Sequence, residues 1–237
     1  MLQWIRSILF VIFATIFMPV VGLLYAPWAM FSKRGAYAGC KAYAGGTMWV
    51  AKWLIGLRCE VRGTPPSGEA LVAAKHQSFL DILMIFHALP RAKFIMKREI
   101  HWMPVIGQYT KRMQMVAVNR GKRGKAIAKM LADVEAGKAE PGQLVIYSQG
   151  TRVAPGVNVP YKKGSAALYE QMGQICVPVA TNAGVFWPRR GLYRRPGVAV
   201  VEFLEPIQPG LHRDDFMALL QERVETRSNA LLEEARQ

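Results

Sequence analysis

A chain of 237 residues is long enough for one α/β domain with a sizeable core plus an appendage. Its 31 Lys and Arg against 16 Asp and Glu leave a net charge of +15, spread along the chain, so the folded surface attracts anions: lipid, an acidic carrier protein, phosphate-bearing substrates or nucleic acid. Nucleic acid fits worst, since no zinc-finger spacing, basic heptad region or RRM-like aromatic signature occurs and the 51% apolar content is high for a soluble binder; three cysteines without CxxC spacing, Cys40, Cys59 and Cys176, support neither a disulfide framework nor a zinc site.

The stretch from Ile8 to Phe31 carries no charge. As a helix it is about 36 Å long against a hydrocarbon core of about 30 Å, so it can span a bilayer or lie in it, and Pro19 and Pro27 predict a kink or break. Arg6 precedes the run and Lys33, Arg34 and Lys41 follow it, a bias that places the rest of the chain on the cytoplasmic side of the cell's inner membrane. The run is too long for a cleaved signal peptide and no small-x-small site closes it. Residues 42–57 set Met48, Trp49, Trp53, Leu54 and Leu57 around a single Lys52, the pattern of a helix in the membrane interface or of an amphipathic helix packed on the domain. Residues 1–57 are therefore expected to form a two-helix membrane anchor, and residues 58–237 an α/β domain.

Beyond the turn-forming cluster at 63–68, short apolar runs alternate with helical periodicity. Strands are predicted at 70–74, 94–96, 115–118, 144–148, 176–180 and 198–204, and helices at 80–88, 122–135, 163–172 and 213–234. Such alternation predicts an α/β fold, a mostly parallel sheet flanked by helices, with functional groups in loops at the carboxyl ends of strands.

Four segments fall at such places. In His76-Gln77-Ser78-Phe79-Leu80-Asp81 a spacing of five does not put His and Asp on one helix face. With His76 in the strand-end loop, Ser78 can cap the helix and Asp81 in its first turn can reach one imidazole nitrogen, leaving the other as a base. This gives a dyad without a nucleophilic serine. In Tyr147-Ser148-Gln149-Gly150-Thr151-Arg152, Gly150 admits close backbone approach, Thr151 offers a hydroxyl and Arg152 suits phosphate, with Lys162 and Lys163 nearby in sequence. Asn119-Arg120-Gly121-Lys122-Arg123-Gly124-Lys125 is not a Walker A loop, since Asn119 replaces its first Gly and Ala126 its Ser or Thr, yet Arg120 at a strand end can clamp a phosphate. In Val177-Pro178-Val179-Ala180 the proline removes one ladder hydrogen bond and marks an edge or a bulge.

In this order and spacing the four segments resemble the glycerolipid acyltransferase family of 1-acylglycerol-3-phosphate acyltransferases across roughly residues 70–190. The resemblance implies that His76 and Asp81 are a catalytic base and its orienting partner, and that Arg120, Gly150, Thr151 and Arg152 hold an acceptor phosphate. It implies acyl transfer from an acyl carrier protein or coenzyme A thioester to lysophosphatidate at a membrane, with no cofactor, metal or nucleic acid. The family pattern is altered at Lys75, where Asn is usual, at Asn119 for Asp and at Gln149 for Glu, which leaves the acceptor less defined than the reaction. The competing readings are transfer to another lyso-lipid, such as a lyso-aminolipid, and a non-catalytic basic protein of the membrane surface.

Overall fold

The computed structural model describes residues 1–118, 128, 132 and 141–236. Among them, β1 (Leu57–Arg62), β2 (Ala70–Ala74), β3 (Ala92–Lys97), β4 (Val116–Val118), β5 (Gln143–Tyr147), β6 (Cys176–Thr181) and β7 (Gly197–Phe203) form one sheet in the order β1-β7-β6-β2-β5-β3-β4. All neighbours are parallel except β6 and β7. The helices are α1 (Leu2–Phe31), α2 (Lys33–Val50), α3 (Leu80–Ala88), α4 (Ile106–Arg112), α5 (Gly164–Met172), α6 (Ala183–Phe186) and α7 (Arg213–Glu234). The mostly parallel sheet flanked by helices is the expected class. Arg120 and the helix expected at 122–135 lie outside the described residues, apart from the single positions 128 and 132.

Alternation along the fully buried central strands builds two cores. Val72 and Ala74 of β2 and Val145 of β5 face one side with α3, whereas Leu71, Ala73, Leu144 and Ile146 face the other, against α5 and α7. Phe10 and Ala29 of α1, Ala36 of α2, and Ala51 and Ile55 belong to the first core, so the N-terminal helices share the domain's interior.

Several expectations are corrected. Of the kink or break expected at Pro19 and Pro27, the break does not occur: α1 is one helix through both prolines, as suits an outward apolar face, where a break exposes more unpaired backbone than the one hydrogen bond each proline removes. α2 begins at Lys33 rather than near residue 42, because the Ser32 side chain accepts from the Arg34 amide and caps it; a π-helical turn, Ala51–Ile55, then ends at Gly56 in the left-handed region. β1 was not anticipated, its Arg58, Glu60 and Arg62 masking an edge strand that pairs only with β7. Of the two readings of Pro178, an edge or a bulge, the second holds, because β6 is internal. Pro178 sits at a bulge, where the pairing shifts by one residue between Cys176 with Ile207 and Val179 with Phe203.

α1 is long and apolar enough to cross a membrane by length and composition. Its outward side exposes Leu2, Ile5, Leu9, Ile12, Ile16 and Leu23 among others, while Phe10 is fully enclosed. Against the domain, α1 is clamped at Gly22: Val105 occupies the notch left by the missing side chain and the Tyr109 hydroxyl donates to the Gly22 carbonyl at 2.6 Å. Phe10→Ala is expected to lower the unfolding free energy by about 3–5 kcal/mol, whereas Leu23→Ala, 67% exposed, changes it little. Denaturation of the full chain in one detergent checks this; equal, small effects at both positions would show that α1 is not part of the core.

Candidate functional site

β2 and β5 are parallel neighbours, so the loops after Ala74 and Tyr147 emerge side by side at one end of the sheet. The His76 carbonyl accepts from the Val153 amide at 2.8 Å, tying the two loops together beyond the ladder. His76, Asp81, Gly150, Thr151 and Arg152 are thus brought to one place.

The loop after β2 turns into α3 through a reciprocal cap. Ser78 Oγ accepts from the Leu80 amide at 3.0 Å, and Asp81 Oδ2 reaches back to accept from the Gln77 amide at 2.8 Å and the Ser78 amide at 2.6 Å. Asp81 Oδ1 then lies 2.9 Å from His76 Nδ1 and accepts from the Tyr147 hydroxyl at 3.1 Å. The Asp81 side chain is fully enclosed, that of His76 is 13% exposed, and no described residue hydrogen-bonds His76 Nε2. A carboxylate at Nδ1 favours the tautomer whose free Nε2 accepts a proton. Tyr147 also stacks on the imidazole, with ring centroids 3.9 Å apart and 18° between planes. Burial first, and then the Asp81 charge, push its phenol well above the usual value near 10, so it acts as a neutral donor.

The turn after β5 places Gly150 at φ +71°, in the left-handed region, and Lys162 lies across it: a side chain on residue 150 would come within 3.0 Å of the Lys162 amine. The Arg152 carbonyl accepts from the Arg189 guanidinium at 3.1 Å, which adds another cation to the turn. Thr151 is exposed and Arg152 half-buried. Gln149, in contrast, is 1% exposed, and neither polar atom of its amide has a hydrogen-bond partner.

Lys75 does not stand beside His76, because successive residues leave the strand end on opposite faces. Its side chain, 1% exposed, enters the second core and pairs with Glu225 of α7, which also accepts from the Tyr161 hydroxyl at 2.9 Å. Tyr147, Glu225 and Arg189 were not singled out from the sequence as parts of the site. Tyr147 stands inside a segment that was, yet its hydroxyl's target is set by strand pairing alone. Trp187 is a further member: its carbonyl accepts from Ser78 Oγ at 2.6 Å, and its ring packs on Phe10 and Phe79.

A family model described as acyltransferase matches residues 58–182, more than half of the chain. The 1-acyl-sn-glycerol-3-phosphate acyltransferase of Pseudomonas aeruginosa is 25% identical over 90% of this chain and 82% of its own length. The 1-acyl-sn-glycerol-3-phosphate acyltransferase alpha of Mus musculus is 30% identical over 71% of this chain, and the match spans 62% of that protein. In structure, the 1-acyl-sn-glycerophosphate acyltransferase PlsC of Thermotoga maritima superposes with a TM-score of 0.79 at 18% identity, covering 96% of this chain and 95% of that one, which establishes a common fold.

Removing one partner from the Lys75–Glu225 pair leaves a buried charge uncompensated. Lys75→Met is therefore expected to cost about 3–5 kcal/mol, and Lys75→Met with Glu225→Gln distinctly less. Denaturation midpoints of both variants against wild type check it; an unaltered midpoint in Lys75→Met contradicts the pairing.

Proposed function

The chain belongs to the acyltransferase family, and we propose that it moves a fatty acyl group from a thioester to the sn-2 hydroxyl of lysophosphatidate, giving phosphatidate, with His76 as general base. The observation that carries this reading is the His76 Nδ1 to Asp81 Oδ1 contact of 2.9 Å, with Nε2 left free at a strand end beside a basic turn. The names of the relatives in Pseudomonas aeruginosa and Mus musculus support the acceptor.

In this mechanism Nε2 takes the proton of the acceptor hydroxyl while the oxygen attacks the thioester carbonyl carbon. Collapse of the tetrahedral intermediate breaks the carbon–sulfur bond, and the proton passes from the imidazolium to the departing thiolate. Asp81 stabilises the imidazolium while Tyr147 holds Asp81 in place. No covalent acyl-enzyme forms. Gly150, Thr151 and Arg152 bind the acceptor phosphate through backbone approach, hydroxyl and guanidinium; Arg120 is assigned to the same phosphate by the sequence pattern alone. The donor is the thioester of acyl carrier protein or of coenzyme A. The apolar outward side of α1, with Trp49 and Trp53 exposed on the following helical segment, supports residence at a membrane, and the flanking charges favour the cytoplasmic side of the inner membrane.

One observation favours a second acceptor class. Gln149, buried and with no partner for its amide, stands where the family carries a carboxylate, so the turn differs from the family pattern, and a lyso-aminolipid is the second reading of the acceptor.

Membranes containing wild type or His76→Ala, supplied with labelled acyl groups on each carrier in turn, test these points. Wild type is expected to form phosphatidate from lysophosphatidate, and His76→Ala to lose about 10²–10⁴ of that rate while accumulating normally. Full activity in His76→Ala removes the base from the mechanism. Faster turnover of a lyso-aminolipid than of lysophosphatidate moves the acceptor to the second class.

A further inference from the structure

The segment 187–196, Trp-Pro-Arg-Arg-Gly-Leu-Tyr-Arg-Arg-Pro, joins α6 to β7 and has no part in the chemistry above beyond the contacts of Trp187 and Arg189. It is a tip of Gly191, Leu192 and Tyr193 between two pairs of arginines, bent back on itself at Gly191, where φ is +87°. Arg194 is the post on which it is built. Its side chain is 6% exposed, lies over the Trp187 ring at 4.7 Å and donates to the Gly191 and Tyr193 carbonyls at 3.0 and 3.1 Å. Burial pulls its guanidinium down to about 10, so it stays charged at neutral pH.

The other three arginines, Arg189, Arg190 and Arg195, are exposed, and so is Leu192, at 49%. None of the exposed three has a carboxylate partner among the described ion pairs.

The tip is fixed to the apolar helix. Ser7 Oγ of α1 accepts from the Arg194 amide at 2.9 Å, Gln3 donates to the Arg194 carbonyl at 2.9 Å, and the Trp4 and Tyr193 rings meet at 5.1 Å. Gln3 also donates to the Ile55 carbonyl at 3.1 Å, which brings in the turn that carries exposed Trp53 and Lys52. Tyr193 therefore joins the tip to exposed Trp4 of α1, whose neighbours Leu2 and Ile5 are exposed too, and exposed Leu192 and the arginines flank Tyr193 in sequence. Aromatic and aliphatic groups ringed by cations match the boundary between acyl chains and anionic headgroups.

We propose that the 187–196 tip is an anionic-lipid contact, in which Leu192 and Tyr193 enter the interface beside Trp4 while Arg190 and Arg195 bind phospholipid phosphates. It rests on the reading that α1 lies at a membrane. An acidic carrier protein is the other anion of the right size, but the apolar tip and its continuity with α1 favour lipid. Because Arg189 donates to Arg152 and the Trp187 carbonyl holds Ser78, the contact seats the loops that carry the phosphate turn and the His76 segment directly on the surface where a lyso-lipid resides.

The test uses the full chain carrying Leu192→Cys labelled with an environment-sensitive fluorophore, the labelled parent chain giving the background of Cys40, Cys59 and Cys176. On vesicles with about 30 mol% phosphatidylglycerol in phosphatidylcholine the emission is expected to shift to the blue, less so on phosphatidylcholine alone and less as salt rises. Replacing Arg190 and Arg195 by Gln should lower the inserted fraction relative to the exposed one about fivefold per arginine, and Lys at both positions should restore it. An emission indifferent to anionic lipid, unchanged by the Gln pair, or shifted only by acyl carrier protein overturns the proposal. The readout needs no catalysis, so a chain inactive on lysophosphatidate can still show the contact, and an active one can lack it.

Discussion

Everything at the end of the sheet depends on one buried carboxylate. Asp81 is enclosed by protein, and an isolated charge there would be untenable, yet its two oxygens accept from two backbone amides, a phenol and an imidazole. Hydrogen bonds to a charged acceptor contribute about 1.5–3 kcal/mol each. The same four contacts cap α3, fix the loop after β2, orient His76 and hold Tyr147. Fold and chemistry are thus not separable here: the group that closes the helix N-terminus also selects the histidine tautomer. A neutral phenol on the carboxylate, kept neutral by burial, steadies the charge without competing for the proton on Nδ1.

Around that centre the parallel pairing of β2 with β5 decides which loops meet, and the two faces of β2 decide what supports them. On one face, Trp187 passes the constraint from Ser78 to Phe10 of α1. On the other, the Lys75–Glu225 pair pins the strand end to α7. The apolar helix α1 and the His76–Asp81 pair are consequently parts of one packed core, and the arginine-rich tip contacts both α1 and the loop between His76 and Asp81. Acyl transfer demands such rigidity, since the reacting groups must be held in one geometry.

Much of this was legible in the sequence. The helices at 80–88 and 213–234 and the strand at 70–74 stand where periodicity placed them, and the other predicted strands moved by a residue or two at their ends. His76, Asp81 and the Gly150-Thr151-Arg152 turn converge because strand-end loops in a parallel sheet must. What stayed hidden was set by contacts between distant segments. β1 alternates charge and apolar residues as a surface strand does, and only β7 makes it part of the sheet. Lys75 reads only as a departure from the family pattern one residue before His76, and pleating sends it to Glu225, 150 residues on. Pro178 reads as an edge or a bulge, and only the pairing of β6 with its neighbours decides for the bulge. The two prolines of α1 read as sites of a kink or a break, and the helix continues through both.

The central claim is that Asp81 holds His76 with the proton on Nδ1 and a free pair on Nε2. Nitrogen-15 NMR of the full chain in detergent, with labelled histidine and His76 assigned by difference against His76→Ala, reads the tautomer directly. The account predicts a neutral imidazole protonated at Nδ1 in wild type, and a mixture of tautomers in Asp81→Asn. A wild-type His76 carrying its proton on Nε2, or a tautomer unchanged by Asp81→Asn, would contradict it.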